Sequence, residues 1–472
     1  MVLMELLRLE DVVVHRGLKK ILDGISLAIS SGEILVLSGP NGCGKSTILE
    51  TSAGLLNLQK GSVYHNSDKD KLDLLKDYTG RWKKQQIFGL TLQKDGMCID
   101  LTVKEHMNFL SKSYGIKIVD KDVNSTLSEW GLGHRVADKI NSLSGGLKRR
   151  LSVLTGLWPA MNSSSPILTI LDEPSEGLDE IGVKLLVSEI SRLKNADHSF
   201  LISTHDERCS SLATSIGTWN ESNEFIINPN KENMKRKEGK IEGRFDPKEI
   251  TDSFLEISAI LDLRTWRTFS TRGVAGALTL LLIMALNPPA MNTGSERWIA
   301  GLILLPGIVA ALMPPVQLAW FNEERASDWW RALKGGGLTQ KTVNYAEITM
   351  IPLALIFTFL CPFIISNLIA NSDIPNGWVL LYGVITIPFF AGATAAIHSA
   401  ISSLPRAQTG IPILLLLFVT YPFMIATEGL AMLIQNPDSI NDISWNSPIS
   451  SLVFTIGILT IVSMSASILS DH

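Results

Sequence analysis

Three short strings hold residues whose types and spacing can handle phosphate. Gly39-Pro40-Asn41-Gly42-Cys43-Gly44-Lys45-Ser46-Thr47 follows the spacing GxxxxGK[ST]. Glycines so placed let successive backbone N–H groups turn inward around a phosphate, and a helix starting there adds positive potential. Lys45 then reaches the outer phosphates of a nucleotide, and the Ser46 hydroxyl ligates Mg²⁺. Ile167 to Leu171 is an apolar run that ends in Asp172 and Glu173. An aspartate at such a tip holds Mg²⁺ directly or through water, and the adjacent glutamate polarises an attacking water as general base. Leu143-Ser144-Gly145-Gly146-Leu147 offers a second phosphate-binding helix start, through the Ser144 hydroxyl and the amides of Gly145 and Gly146. ATP and Mg²⁺ are the cofactors that such a set requires.

These strings need strands that end, and helices that begin, at the right places. Ile34 to Leu37 is a short apolar run closed by Ser38-Gly39-Pro40, the pattern of a buried strand followed by a loop. A helix is expected from Ser46 onward and another over Val103 to Tyr114. Further buried strands are expected at Pro166 to Leu171 and Ser199 to Ser203. Two short strands around a turn are expected within Leu6 to Ser30. Strands alternating with helices predict an α/β domain with a mainly parallel sheet. Asn66 to Lys84 is polar and lysine-rich and reads as an exposed excursion. Cys43, Cys98, Cys209 and Cys361 show no metal-ligand spacing and read as reduced thiols. The first ten residues have neither a basic leader nor a small-residue cleavage site, so no secretory leader is expected.

The charge distribution divides the chain. Of the first 250 residues 66 are charged, 33 of each sign; of the last 222 only 22 are charged, nine basic and 13 acidic, and these carry the whole net charge of −4. Neither part offers the positive surface a nucleic-acid binder needs, so no nucleic-acid partner is expected. The expected domains are 1–227, a polar linker 228–250 containing KENMKRKEGKIEGR, and an apolar helical domain 251–472. An interfacial helix is expected at Pro247 to Trp266. Six spans follow, at 273–290, 298–320, 348–370, 377–402, 411–433 and 449–469, most reaching the ~20 residues that cross a hydrocarbon core. With the charged part inside, eight of the nine basic residues (Arg264, Arg267, Arg272, Arg325, Arg331, Lys334, Lys341 and Arg406) fall on the inner side and only Arg297 outside. A multi-pass protein of the cell membrane, in contact with lipid and with both termini inside, is the expected topology.

The string Leu143 to Leu147 resembles the LSGGQ signature of ATP-binding cassette (ABC) proteins, with Leu147 in place of glutamine. Its position between the glycine-rich loop and Leu171-Asp172-Glu173-Pro174 strengthens the resemblance, which covers about residues 5–220. The resemblance implies a P-loop ATPase domain and names further residues. Gln93 corresponds to the glutamine that senses Mg²⁺ and contacts the membrane part. Ser175 to Asp179 corresponds to the D-loop. His205, in Ser203-Thr204-His205-Asp206, corresponds to the switch histidine that holds the γ-phosphate and water. It also implies that Ser144, Gly145 and Gly146 act on a nucleotide bound by a second subunit, hence a homodimer with two shared sites. The adenine-stacking aromatic of the family is replaced here by His15 or Arg16. The second part resembles type-2 ABC exporter permeases, in which a stretch such as Phe321 to Arg331 starts a coupling helix near the Q-loop. Pro388 to Ala400 and Ile411 to Leu433 are similar to two spans of the cytochrome c maturation haem exporter, whose ATPase and permease are separate chains. That likeness implies haem delivery, with haem-handling membrane proteins and a haem chaperone as partners. Export of a lipid, drug or glycan precursor, and remodelling of a protein complex without solute movement, are the competing readings. His398, Met424, Tyr421, Glu428 and Cys361 are of iron-ligating types, but lone residues of these types in spans serve packing or interhelical hydrogen bonds.

Overall fold

The computed structural model describes residues 4–68, 71–80, 87–116, 120–220, 224–230, 233, 266–286, 296–313, 329, 332, 338–368, 376–402, 411–441, 444–445 and 447–471. The chain forms two compact units, Met1–Ser253 with Trp320–Gly336, and Phe254–Ala319 with Gly337–His472. Most of the expected linker and interfacial helix lies outside the described residues, and the linker's first two positions, Asn228 and Pro229, belong to a strand.

The first unit is built on two sheets. A six-stranded sheet has the order β10-β9-β3-β8-β7-β6, with β3 at Ile34–Leu37, β6 at Gly89–Thr91, β7 at Leu168–Asp172, β8 at Ser199–Ser203, β9 at Ser215–Trp219 and β10 at Phe225–Pro229. All its pairings are parallel except β9 with β10. Strands β3, β7 and β8 are buried at every position, which explains their unbroken apolar runs: both faces are covered by helices. The helices are α1 (Lys45–Ser52), α2 (Val103–Ser113), α3 (Asp120–Glu129), α4 (Gly145–Asn162), α5 (Glu180–Asn195) and the short α6 (Glu207–Ser210). Thr102 and Glu105 form a reciprocal cap that fixes where α2 begins.

A second, antiparallel sheet has the order β2-β1-β4-β5, with β1 at Glu5–Arg16, β2 at Lys19–Ser30, β4 at Lys60–Asp68 and β5 at Lys71–Asp77. The stretch expected as an exposed polar excursion is therefore largely a hairpin. Leu75 is buried, and Lys76 lays its stem along the apolar surface and donates its ammonium to the Gly54 carbonyl at 3.2 Å. Charge composition hid the strand because lysine can satisfy its head at a carbonyl while burying its methylenes.

The second unit is helical: α7 (Arg267–Leu286), α8 (Glu296–Ala311), α9 (Leu338–Leu368), α10 (Asn376–Ser402), α11 (Ile411–Gln435) and α12 (Pro448–Asp471). Among the described residues four helices are long and apolar enough to cross a membrane, at Thr339–Ile364, Gly377–Ile401, Phe418–Gln435 and Pro448–Ile468. Six spans were expected. The first two coincide in part with α7 and α8. Helix α7 spends its first turns on Arg267-Thr268-Phe269-Ser270-Thr271-Arg272, and positions 287–290 of the first expected span and 314–320 of the second lie outside the described residues. Small residues bring the helices together. Gly276 admits the Phe357 ring and Gly392 the Glu347 side chain. Arg272 is buried and donates to the Met313 and Ala346 carbonyls at 3.2 Å and to the Thr349 hydroxyl at 2.9 Å. Glu428 is paired with Arg297 at 2.7 Å, which answers the cost of a carboxylate in an apolar helix.

Candidate functional site

The glycine-rich loop runs from the end of β3 to the start of α1. Gly42 and Gly44 adopt φ +82° and +114°, conformations that L side chains rarely take. Gly44 is the N-cap of α1, and a side chain there would also meet Leu22 at 3.2 Å. Lys45 is buried and its ammonium donates to the carbonyls of Gly39 at 2.7 Å and Pro40 at 3.3 Å, so its charge sits inside the loop's curve. Trp219, on β9, backs the loop: a Cβ on Gly39 would touch its ring at 3.3 Å. No sequence signal singled out Trp219, because it serves the loop only through strand order.

Strands β7 and β3 are separated by β8, yet their tips meet at the same edge. The Ser46 hydroxyl donates to Asp172 Oδ1 at 3.2 Å, and the Ser203 hydroxyl donates to the same oxygen. Burial raises the Asp172 carboxyl above its ordinary range, while the Ser203 and Ser46 hydroxyls pull the other way. Ser46, Asp172 and Gln93 line one cavity of about 480 Å³, together with Asn41, Gly42, Gly44, Lys45, Thr47 and Glu173. Hydroxyl, carboxylate and amide oxygens are hard donors, a set that fits Mg²⁺ completed by phosphate oxygens and water. Of the two candidates for the base, Arg16 lines this cavity, with Ile21, and is ion-paired to the buried carboxylate of Glu50.

Glu173 has φ +45°, an uncommon conformation for a non-glycine residue. Its N–H donates to the Ser203 carbonyl at 3.0 Å. Its carboxylate accepts the His205 N–H at 3.3 Å, and His205 Nε2 stands 3.5 Å from the other carboxylate oxygen. Burial lifts the Glu173 carboxyl above its usual range, and His205 opposes that shift. A second cavity of about 320 Å³ joins Asn41, Gln93, Glu173 and His205 to Ser175 and Glu176. The expected catalytic residues Glu173, His205 and Gln93 are thus gathered in one place, beside the loop.

The remaining candidates lie elsewhere. Ser144 caps α4, its hydroxyl accepting the Leu147 N–H at 3.4 Å, and Ser144 and Gly145 are exposed. Neither they nor Gly146 line the two cavities just described. A Cβ on Gly146 would sit 3.4 Å from the Gly177 carbonyl, so the signature packs beside the D-loop. Asp179 caps α5 by accepting the Gly182 N–H at 2.9 Å and is bonded to the Arg150 guanidinium, which holds its carboxyl below the usual range. Arg149, the neighbour of Arg150, is buried and bonded to both the Gln93 and the Glu173 backbone. The sequence reading did not single it out, because its partners are brought to it only in the folded chain. Trp329 is also buried in this unit, its indole N–H donating to the Leu90 carbonyl at 3.1 Å.

A glycine-rich loop, an acidic strand tip and a histidine around two cavities that share Asn41, Gln93 and Glu173, on a mainly parallel sheet, define a P-loop ATPase. Residues 22–176 match the family model described as ABC transporter. The chain accordingly carries an ABC transporter ATP-binding domain, an ATP-hydrolysing domain, followed by an apolar helical region. It is 28% identical over 201 residues to the lantibiotic transport ATP-binding protein SrtF of Streptococcus pyogenes, a match covering 42% of this chain and 80% of that one. It is 30% identical over 202 residues to the linearmycin resistance ATP-binding protein LnrL of Bacillus subtilis, covering 42% of this chain and 61% of that one. A solved ATP-binding subunit of an ABC transporter is 22% identical with a TM-score of 0.39, covering 45% of this chain and 85% of that one.

Proposed function

We propose that this chain is one half of an ATP-driven exporter in which hydrolysis in the first unit works the helices of the second. The observation that carries the coupling is Trp329. It belongs to the segment Trp320–Gly336, which follows the second expected span, yet it is buried in the nucleotide-binding unit on the Leu90 carbonyl, three residues before Gln93. In this reading Lys45 and the loop amides bind the β- and γ-phosphates. Ser46, Asp172 and Gln93 would hold Mg²⁺, which would supply positive charge against the phosphates. Glu173 takes the proton of the attacking water, and His205 orients that water and the γ-phosphate. Ser144, Gly145, Gly146 and Asp179 act on the nucleotide of a second copy, so the working unit is a dimer with two shared sites. The exposure of Ser144 and Gly145, away from the loop of their own chain, supports this arrangement. In this reading the four long apolar helices cross the cell membrane, α7 and α8 complete six spans together with the neighbouring residues outside those described, and the ATPase unit and both termini lie on the cytoplasmic side.

Two cargo readings have a specific basis. Haem delivery in cytochrome c maturation, with a haem chaperone and membrane haem-handling proteins as partners, rests on the likeness of Pro388 to Ala400 and Ile411 to Leu433 to that exporter. Export of a drug-type compound such as an antibiotic rests on the names of the relatives, one a lantibiotic transport protein and the other a linearmycin resistance protein. The deciding experiment reconstitutes the full chain in lipid vesicles and measures ATPase activity. Stimulation by a lantibiotic or by linearmycin alone supports export of such compounds. Stimulation only by haem-loaded chaperone, without haem appearing across the bilayer, supports a remodelling ATPase. Activity insensitive to vesicle reconstitution and to Trp329→Ala would overturn the coupling.

A further inference from the structure

Arg149 occupies the point where the parallel sheet splits. Strands β6 and β7 are paired through Thr91 and Leu171, and beyond that pair the two chains diverge toward Gln93 and Glu173. The guanidinium fills the gap. Nη1 donates to the Leu92 carbonyl at 2.9 Å, the Gln93 carbonyl at 3.4 Å and Asp95 Oδ1 at 3.1 Å. Nη2 donates to the carbonyls of Asp172 at 2.9 Å and Glu173 at 2.7 Å. The side chain is 6% exposed; its two terminal nitrogens are bonded, while Nε has no hydrogen-bond partner among the described residues, so the fork's grip comes from Nη1 and Nη2. A rigid planar fork can hold two chains at a fixed separation, which a lysine ammonium cannot do.

What the fork holds matters for the reaction. Glu173 is in a sparsely populated backbone conformation, which persists only when its surroundings over-determine it. Its N–H is fixed by Ser203 and its carbonyl by Arg149. At the other edge, Trp329 holds the Leu90 carbonyl, two residues before the Leu92 carbonyl that Arg149 holds. We infer that Arg149 is a positioning residue that ties the aim of the Glu173 carboxylate to the place of the chain leaving β6, so that movement of Trp329 reaches the general base through one guanidinium. This rests on the reading of Glu173 as general base given above.

The test uses the full chain in lipid vesicles with Arg149→Lys, Trp329→Phe, the double variant and Glu173→Gln. Arg149→Lys keeps the ATP dissociation constant within about twofold of the parent and lowers kcat about 10²-fold, as expected when a reacting group is held out of line. Trp329→Phe keeps an aromatic ring, though a smaller one, and loses the indole N–H. It lowers kcat in the parent and has no further effect in Arg149→Lys, a non-additivity of about fivefold or more between side chains that share no direct contact. A purely structural role for Arg149 predicts effects that multiply. Multiplication within about twofold, or a parental kcat in Arg149→Lys, overturns the inference. A parental kcat in Glu173→Gln removes the general base itself and overturns both readings, whereas an inactive Glu173→Gln with multiplying effects overturns only this one. Should Arg149→Lys not fold, as judged by lost ATP binding, Asp95→Asn takes its place in the cycle and is judged by the same criterion.

Discussion

The Ser46 hydroxyl and the Asp172 carboxylate lie 3.2 Å apart although 126 residues separate them in the chain. Two oxygens of metal-ligating type are thus placed side by side in the lining of one cavity. Ser46→Ala is expected to weaken Mg²⁺-dependent ATP binding, and Asp172→Asn to weaken it further, since one removes a neutral donor and the other a charge. Titration of ATP binding against Mg²⁺ checks this. Equal binding with and without Mg²⁺ in the parent chain would remove the metal role of both.

Glu173→Gln is expected to retain ATP binding and lose turnover by ~10²–10⁴-fold, the usual cost of removing a positioned base. Steady-state hydrolysis together with equilibrium ATP binding separates the two effects. Dimer formation should also become easier to see, because bound ATP persists; light scattering with and without ATP reads it.

His65, His106 and His198 are buried, and burial lowers each to about 4 from the ordinary 6.5. Each is neutral in the folded chain and gains a proton on unfolding below its ordinary value. The stability they support is therefore complete above about pH 6.5 and declines as pH falls toward about 4. The thermal midpoint of the first unit is expected to drop between pH 7 and pH 5. His106→Leu should flatten that slope, at the cost of leaving the Thr155 hydroxyl without its 2.9 Å partner. A slope unchanged by the substitution would exclude His106 as a contributor.

Gly89 and Gly156 meet where β6 crosses α4. A Cβ on Gly89 would stand 2.0 Å from the Gly156 carbonyl, so backbone must move. Gly89→Ala is expected to destabilise the first unit by ~1–3 kcal/mol, read as a lower melting temperature. Gly145 has nothing within 4 Å of its Cβ position, and Gly145→Ala should leave melting unchanged while lowering ATPase activity if the signature faces a partner's nucleotide. Full activity in Gly145→Ala would count against the shared site.

Arg297 at the start of α8 and Lys341 near the start of α9 test the topology. With the ATPase unit inside, a membrane-impermeant thiol reagent added to whole cells labels Arg297→Cys and not Lys341→Cys. The reverse pattern would invert the bundle.

The local devices of the first unit were legible in the sequence because each is a short string with its own physics. A glycine loop, an apolar run ending in Asp172 and Glu173, and a Ser-Gly helix start announce themselves within ten residues. Strands β3, β7 and β8 were equally plain, since a strand covered on both faces must be apolar at every position. The hairpin of β4 and β5 was hidden, because the burial of Lys76 depends on the Gly54 carbonyl, which only folding brings to it. Of the six apolar stretches, four are long and apolar enough to cross a membrane within the described residues, and α7 carries polar first turns. Strand order alone put Trp219 behind the loop and brought Ser46 to Asp172. The role of Arg149 required its five acceptors to be gathered from two chain segments far apart in sequence. Residue types determined what chemistry this chain can do, while long-range pairing decided which residues hold that chemistry in place. Hydrogen bonds between distant segments leave no periodicity to read.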